Sequence, residues 1–196
     1  MNIARLQRLA EFPVYLGENE GDVRNALAAG PAAVLLPPAA LSRHAKGPDA
    51  PLHVCFDWDG TLATSRESDE VGAHFGFEAY LDYEWEHRFE PHEPGPLYDL
   101  LIALKKAPNV ITSILTARGG RCAARVLTTL GAWDCQTDAM HFVGGADKGA
   151  FAAAMQADIF FDNLRGHAEN AILHGVCAGW VPFEPTFVPD VQRLAA

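Results

Sequence analysis

Residues 53–62 read HVCFDWDGTL. They close an apolar run, LHVCF over 52–56, with the length and continuity of a strand buried on both faces of a parallel sheet. The run stops at Asp57 and Asp59, separated by Trp58 and followed by Gly60. Two carboxylates this close repel, and burying one is costly unless a partner compensates it. Either the pair sits in a solvated turn, which Asp and Gly favour, or a cation and a reaction need both.

The flanking sequence argues for a fold built around that run. Strand-like segments recur at 12–16 (FPVYL), 32–37 (AAVLLP), 109–115 (NVITSIL), 140–143 (MHFV), 158–161 (DIFF) and 176–181 (VCAGWV). Helix-like segments at 19–30, 96–107, 118–131, 148–157 and 165–175 lie between them. Alternation at this spacing predicts an α/β fold with a doubly wound, mostly parallel sheet. Residues 1–50 read as an N-terminal βαβ extension, with a polar linker at 42–51. Residues 51–62 and 96–196 form the core. Residues 63–95, acidic and aromatic with no clear core strand, read as a small, mostly helical cap inserted after the central strand. Its aromatics (Phe75, Phe77, Tyr80, Tyr83, Trp85 and Phe89) are expected mostly to form the cap's own core, with nucleobase stacking as the alternative.

The chain has 196 residues and a net charge of −10. That balance argues against broad binding to nucleic acid or an anionic membrane. No stretch approaches the length of a membrane span, and the N-terminus lacks a signal-peptide pattern. The four cysteines, Cys55, Cys122, Cys135 and Cys177, form no C-x-x-C pair. A zinc site is therefore not expected, and reduced thiols in a cytoplasmic protein are. Most histidines are expected at the surface or in loops.

In a parallel sheet the strand ends share one edge, where ligands bind. Asp57 and Asp59, Thr116 with Arg118, and Asp162 with Asn163 all end strands, and Lys148 opens a helix. Singly, Thr116 and Lys148 read as a strand-end hydroxyl and a surface lysine. In this order the set resembles the haloacid dehalogenase superfamily of phosphohydrolases, whose four motifs appear as Asp57-Trp58-Asp59-Gly60-Thr61, Thr116, Lys148 and Asp162-Asn163. The segments SRESDE, GFEAYLDYE, GPLYDLLIALKK, SILTARGG, FVGGADKGAF and DIFFDNLRGHAENA are similar to the cytosolic 5'-nucleotidase type I family within it, over roughly residues 12 to 182.

The resemblance implies a Rossmannoid core and a Mg²⁺-dependent phosphomonoester hydrolase acting through an aspartyl-phosphate, most like a 5'-nucleotidase for nucleoside 5'-monophosphates. Asp57 would be the nucleophile. Asp59 would be the acid and base, its carboxyl raised by its neighbours. Thr116 and Lys148 would complete the catalytic set. Gly60, Thr61, Ala117 and Arg118 would contact the phosphoryl group, although Arg118 could equally cap a strand end. Mg²⁺ would bind Asp57, Asp162 and the Asp59 carbonyl. His167 is expected to hydrogen-bond near the site without ligating metal.

Two features depart from that family's pattern: Asn163 replaces the second acid of the fourth motif, and the region before the first motif is short. Two other readings are therefore kept: a phosphatase for another small phosphoester such as a sugar phosphate, and a non-catalytic nucleotide-binding member. The oligomeric state is left open.

Overall fold

A computed structural model describes residues 9, 11–30, 32–36, 46–47 and 49–183. Within them lies a seven-stranded sheet with order β1-β2-β9-β8-β3-β6-β7. The strands are β1 (Val14–Gly17), β2 (Ala32–Leu35), β3 (Leu52–Phe56), β6 (Val110–Thr116), β7 (Ala139–Phe142), β8 (Ile159–Asp162) and β9 (Cys177–Trp180). Strands β9, β8, β3, β6 and β7 run parallel. The pair β1–β2 is parallel internally and meets β9 antiparallel at Leu35 and Trp180. The expected mostly parallel sheet and the N-terminal βαβ unit are present, with the latter joined to the sheet in the reverse direction. Half of the expected linker at 42–51, and all but Phe183 of the C-terminal FEPTFVPDVQRLAA, lie outside the described residues.

Strand β3 is the middle one of the five parallel strands, and all five of its residues are buried, which is why its sequence is apolar without alternation. Leu52, Val54 and Phe56 point to one face, with Leu100, Leu101 and Leu104 of α4 (Tyr98–Lys105) and Val126 and Leu130 of α5 (Ala123–Ala132). Cys55 points to the other face, with Ala152 of α6 (Lys148–Ala154) and Ala168 and Ala171 of α7 (Arg165–Leu173). Val23 of α1 (Glu20–Ala28) joins that second layer. Helices therefore cover both faces, and the period-2 alternation of β3 separates the two cores. All four cysteines are free and buried. Among the described residues, no helix is long and apolar enough to cross a membrane.

From β3 the chain moves outward through β6 to β7, then returns to β8 and β9 on β3's other side. The reversal puts the carboxyl ends of β3 and β8 next to each other, at the kind of switch point where open α/β sheets bind ligands.

The segment 63–95 leaves and rejoins the core at one place. Its two short strands, β4 (Ala63–Thr64) and β5 (Glu93–Pro94), pair antiparallel. Gly95 donates its N–H to Leu62 O at 2.7 Å. A Cβ on Gly95 would sit 2.8 Å from Ala63 N and Leu62 C, so only glycine fits this crossing. Between the strands lie α2 (Arg66–Phe75) and α3 (Phe77–Glu86), packed together. The expected aromatic core is absent. Of the six aromatics only Tyr80 is buried, whereas Phe75, Trp85 and Phe89 are exposed. The buried positions of these two helices are Ser68, Asp69, Gly72, Tyr80 and Glu84, so charge pairing replaces apolar packing on their inner face.

Candidate active site

The paired aspartates separate onto different cations. After β3 the chain turns tightly around Trp58, whose carbonyl accepts from the N–H groups of Leu62 and Ala63 at 3.0 Å. Trp58 is fully buried and stacks on Trp133 at 5.5 Å, which fixes the turn between the two acids. Gly60 has φ +68°, and a Cβ there would lie 2.4 Å from Asn163 Nδ2; the turn requires glycine for both reasons. Asp57 remains on the sheet axis, its N–H donating to Phe161 O on β8 at 2.8 Å. Asp59 turns toward the β6 side.

Asp57 and Asp162 share one ammonium. Lys148 Nζ lies 2.8 Å from Asp57 Oδ1 and 2.9 Å from Asp162 Oδ2. All three residues are buried. Lys148 is the first residue of α6, where Asp147 caps the helix by accepting from Ala150 N–H at 3.0 Å. Asp162 also accepts from Leu164 N–H at 2.7 Å and contacts His167 Nδ1 at 3.1 Å. Burial opposes ionisation of Asp162, yet Lys148 and His167 hold its carboxyl below the usual range. Burial first, then the charge of Asp162, pushes the Asp57 carboxyl up to about 7 against the opposing pull of Lys148. His167 thus hydrogen-bonds near the site, with Asp162 as its partner.

Asp59 belongs to a second buried network. Arg118 reaches Asp59 Oδ2 through Nε at 2.9 Å and Oδ1 through Nη2 at 2.8 Å, while Ser65 Oγ donates to Oδ1 at 3.0 Å. The Nη1 of Arg118 donates to Glu84 on α3. Glu84 also accepts from Arg125 Nη1 at 3.1 Å and contacts His92 Nε2 at 3.2 Å. Burial would raise the Asp59 carboxyl, but Arg118 outweighs it and holds Asp59 below its ordinary value. This overturns the expectation of a raised carboxyl: a bidentate guanidinium stabilises the ionised form more than burial penalises it. Burial also opposes ionisation of Glu84, and its cationic and imidazole partners reverse that.

Thr116 ends β6, buried, with its Oγ1 accepting from Arg118 N–H at 3.1 Å. Ala117 is also buried. Arg118, expected near phosphate, directs its guanidinium to carboxylates. It precedes the helix expected at 118–131 instead of opening it: Gly119 is extended and Gly120 has φ +53°, so regular helix begins at Ala123. Thr61 is fully buried, and among the described residues its hydroxyl has no hydrogen-bond partner, leaving a donor available beside the turn. Asn163 packs its amide over Gly60, and Nδ2 donates to Phe183 O at 3.1 Å. A carboxylate could not make that donation. The amide in the fourth motif therefore has a structural reason, tying the β8 turn to the segment after β9.

Glu84, His92, Arg125 and Ser65 were not singled out from the sequence. His92 is buried in a loop and His53 is buried in β3; the latter goes against the expectation of histidines at the surface or in loops. Tyr80 and Glu84, four residues apart, share the buried face of α3. That spacing is the one sequence signal that placed Glu84 inward.

Among the described residues, no group of three His, Cys, Asp or Glu side chains is arranged to hold a metal. Magnesium does not demand one, because it takes one or two carboxylates and completes its octahedron with water and phosphate oxygens. Asp57 and Asp162, two buried acids sharing one lysine, fit that donor set. A cation between them would favour the ionised form of Asp57 that burial and Asp162 disfavour.

A family model described as 5'-nucleotidase matches residues 6–186. Human cytosolic 5'-nucleotidase 1B is 31% identical over 145 residues, spanning 67% of this chain. The chain covers 24% of that relative's length. No solved structure matches.

Proposed function

The chain belongs to the 5'-nucleotidase family, and on that premise we propose that it hydrolyses nucleoside 5'-monophosphates to nucleoside and phosphate, as a phosphoric monoester hydrolase. The observation that carries the reading is the buried Asp57–Lys148–Asp162 cluster at the β3/β8 switch point, with Asp59 in the turn after β3 and Thr116 at the end of the neighbouring β6.

In this reading the Asp57 carboxylate attacks phosphorus. The bond to the ribose 5'-oxygen breaks, and an aspartyl-phosphate forms, which water then hydrolyses. Lys148 holds Asp57 in line and offsets charge on the phosphoryl group. The Thr116 hydroxyl, the Thr61 hydroxyl and the amides of Thr61 and Ala117 surround the phosphoryl oxygens, beside the unhindered backbone of Gly60. Asp57, Asp162 and the Asp59 carbonyl would hold Mg²⁺, which when bound supplies positive charge against the phosphoryl oxygens. Asp59 gives a proton to the leaving oxygen and takes one from water. Held ionised by Arg118, it is ready for the second role; the first requires Asp59 to gain a proton when substrate displaces part of that pairing. Arg118 acts here as a positioning residue for Asp59.

We read residues 63–95 as a small cap over the site, 51–62 and 96–196 as the catalytic core, and 1–50 as its extension. The partner is a small phosphorylated molecule, not nucleic acid or membrane, and the compartment is the cytoplasm. A phosphate-release panel of nucleoside monophosphates and sugar phosphates, run with Mg²⁺ and with EDTA, tests the reading. Turnover confined to sugar phosphates, or turnover indifferent to EDTA, would remove it.

A further inference from the structure

Among the described residues, two side chains hold the Asp59 carboxylate, and both connect it to the inserted 63–95 segment. One is Ser65, which follows β4 and stands at the start of α2. A serine in that place ordinarily accepts from the first N–H groups of the helix. Ser65 makes no such bond. Its hydroxyl faces carboxylates instead, with Oγ 3.0 Å from Asp59 Oδ1 and 3.3 Å from Asp69 Oδ1. The other is Arg118, whose Nε and Nη2 edge is filled by Asp59. A guanidinium is a rigid fork, so whatever holds its third corner fixes that edge as well. The third corner, Nη1, donates to Glu84 on α3, and the Tyr80 ring backs the guanidinium at 5.8 Å. Glu84 is itself fixed, by Arg125 Nη1 at 3.1 Å and His92 Nε2 at 3.2 Å. Arg125 Nε is anchored in turn on Glu90 O at 3.0 Å.

We propose that Ser65 and Glu84 are positioning residues for Asp59, so that the 63–95 segment, seated on the core, aims the acid–base carboxylate at the leaving oxygen. The inference rests on the hydrolase reading and adds which residues outside the reacting set its proton transfers need. A buried ion cluster rarely stabilises more than apolar packing of the same volume would. Fixing geometry, and not stability alone, therefore accounts for a fully buried Glu84. Proton transfer needs heavy atoms about 3 Å apart, and a misplacement of about 1 Å can cost about a hundred-fold. As the bond from phosphorus to the ribose 5'-oxygen breaks, the proton passes from Asp59 to that oxygen. Asp59, left as a carboxylate, recovers a proton from the water that attacks the aspartyl-phosphate. Both halves of the reaction thus depend on its aim.

The test separates a leaving group that needs the proton from one that does not. Adenosine 5'-monophosphate loses an alkoxide, which must be protonated as it departs. Para-nitrophenyl phosphate loses nitrophenolate, which departs unaided. In single-turnover measurements with Mg²⁺, Glu84→Gln should slow adenosine release about ten-fold or more while nitrophenolate release stays within about two-fold of wild type. Ser65→Ala removes one hydroxyl and should show the same selectivity to a smaller degree; it decides the matter if Glu84→Gln does not fold. In an Arg118→Met background, where the link is already cut, adding Glu84→Gln should slow adenosine release by less than about two-fold further. Glu78→Ala, on the exposed side of the same helix, should change neither rate. A purely structural role would slow both esters alike. Equal slowing of the two esters, adenosine release at the wild-type rate, or full additivity with Arg118→Met overturns the positioning role and leaves the hydrolase reading standing. Wild-type protein that releases neither product overturns the hydrolase reading, and the positioning role with it.

Discussion

The inner face of the 63–95 segment is held by charge, and removing one charge should unseat it. Glu84 is fully buried and meets Arg118, Arg125 and His92. In Glu84→Ala two guanidinium groups remain buried without their shared acceptor. Breaking a buried pair from one side costs about 3–5 kcal/mol. For a chain this long each kcal/mol lowers Tm by about 2–4 °C, so Tm should drop by about 6–20 °C. Glu78 is the control: it pairs with Arg121 at 3.0 Å, but its side chain is 81% exposed. Exposed pairs contribute about 1 kcal/mol at most, so Glu78→Ala should lie within a few degrees of wild type. The pH dependence has a definite sign. Burial opposes ionisation of Glu84 while Arg118 and His92 reverse it, so its folded carboxyl lies below the ordinary glutamate value of 4.5. Its contribution is complete above that value and is lost as pH falls below it. Glu84→Gln should therefore flatten the acid limb of Tm against pH. Thermal melts of the three variants between pH 3 and 8 settle the matter. A Glu84→Ala Tm within 2 °C of wild type, or a drop matched by Glu78→Ala, would refute a charge-held inner face.

Other outcomes follow from the same geometry. Asp57→Asn should raise Tm at pH 8 and lose that gain near pH 4. Burial and Asp162 push the folded Asp57 carboxyl to about 7, above its ordinary value of 3.8, so this group lowers stability as pH rises through that interval; a Tm difference independent of pH would contradict it. Asn163→Asp loses the donation to Phe183 O and should cost about 1–3 kcal/mol, read by urea unfolding. Gly60→Ala should destabilise through its positive φ and the overlap with Asn163, and a wild-type midpoint would show the turn to be more yielding than drawn. Lys148→Met should lose phosphate release while keeping a folded circular-dichroism spectrum, because it leaves Asp57 and Asp162 facing each other without their shared cation.

The strand-end acids were legible in the sequence because a parallel sheet gathers its carboxyl ends on one edge. Asp57, Thr116 and Asp162 needed only the strand assignment to be brought together, and Lys148 needed only the start of the helix it opens. The reach of Arg118 was not legible. Its partner Glu84 lies 34 residues away, on a helix whose aromatics read as a core. The structure inverts that reading, because one buried arginine gives an inward glutamate more than exposed rings lose. Asn163 likewise read as a weakened acid; its donor role depends on Phe183, which no local pattern connects to it.

The central claim is that Asp57 takes the phosphoryl group. Wild-type protein mixed with Mg²⁺ and adenosine 5'-monophosphate, acid-quenched within the first turnover and mapped by peptide mass spectrometry, should carry phosphate on the peptide containing Asp57, and Asp57→Asn should carry none. Phosphate release with no labelled Asp57, or undiminished release by Asp57→Asn, would contradict the account.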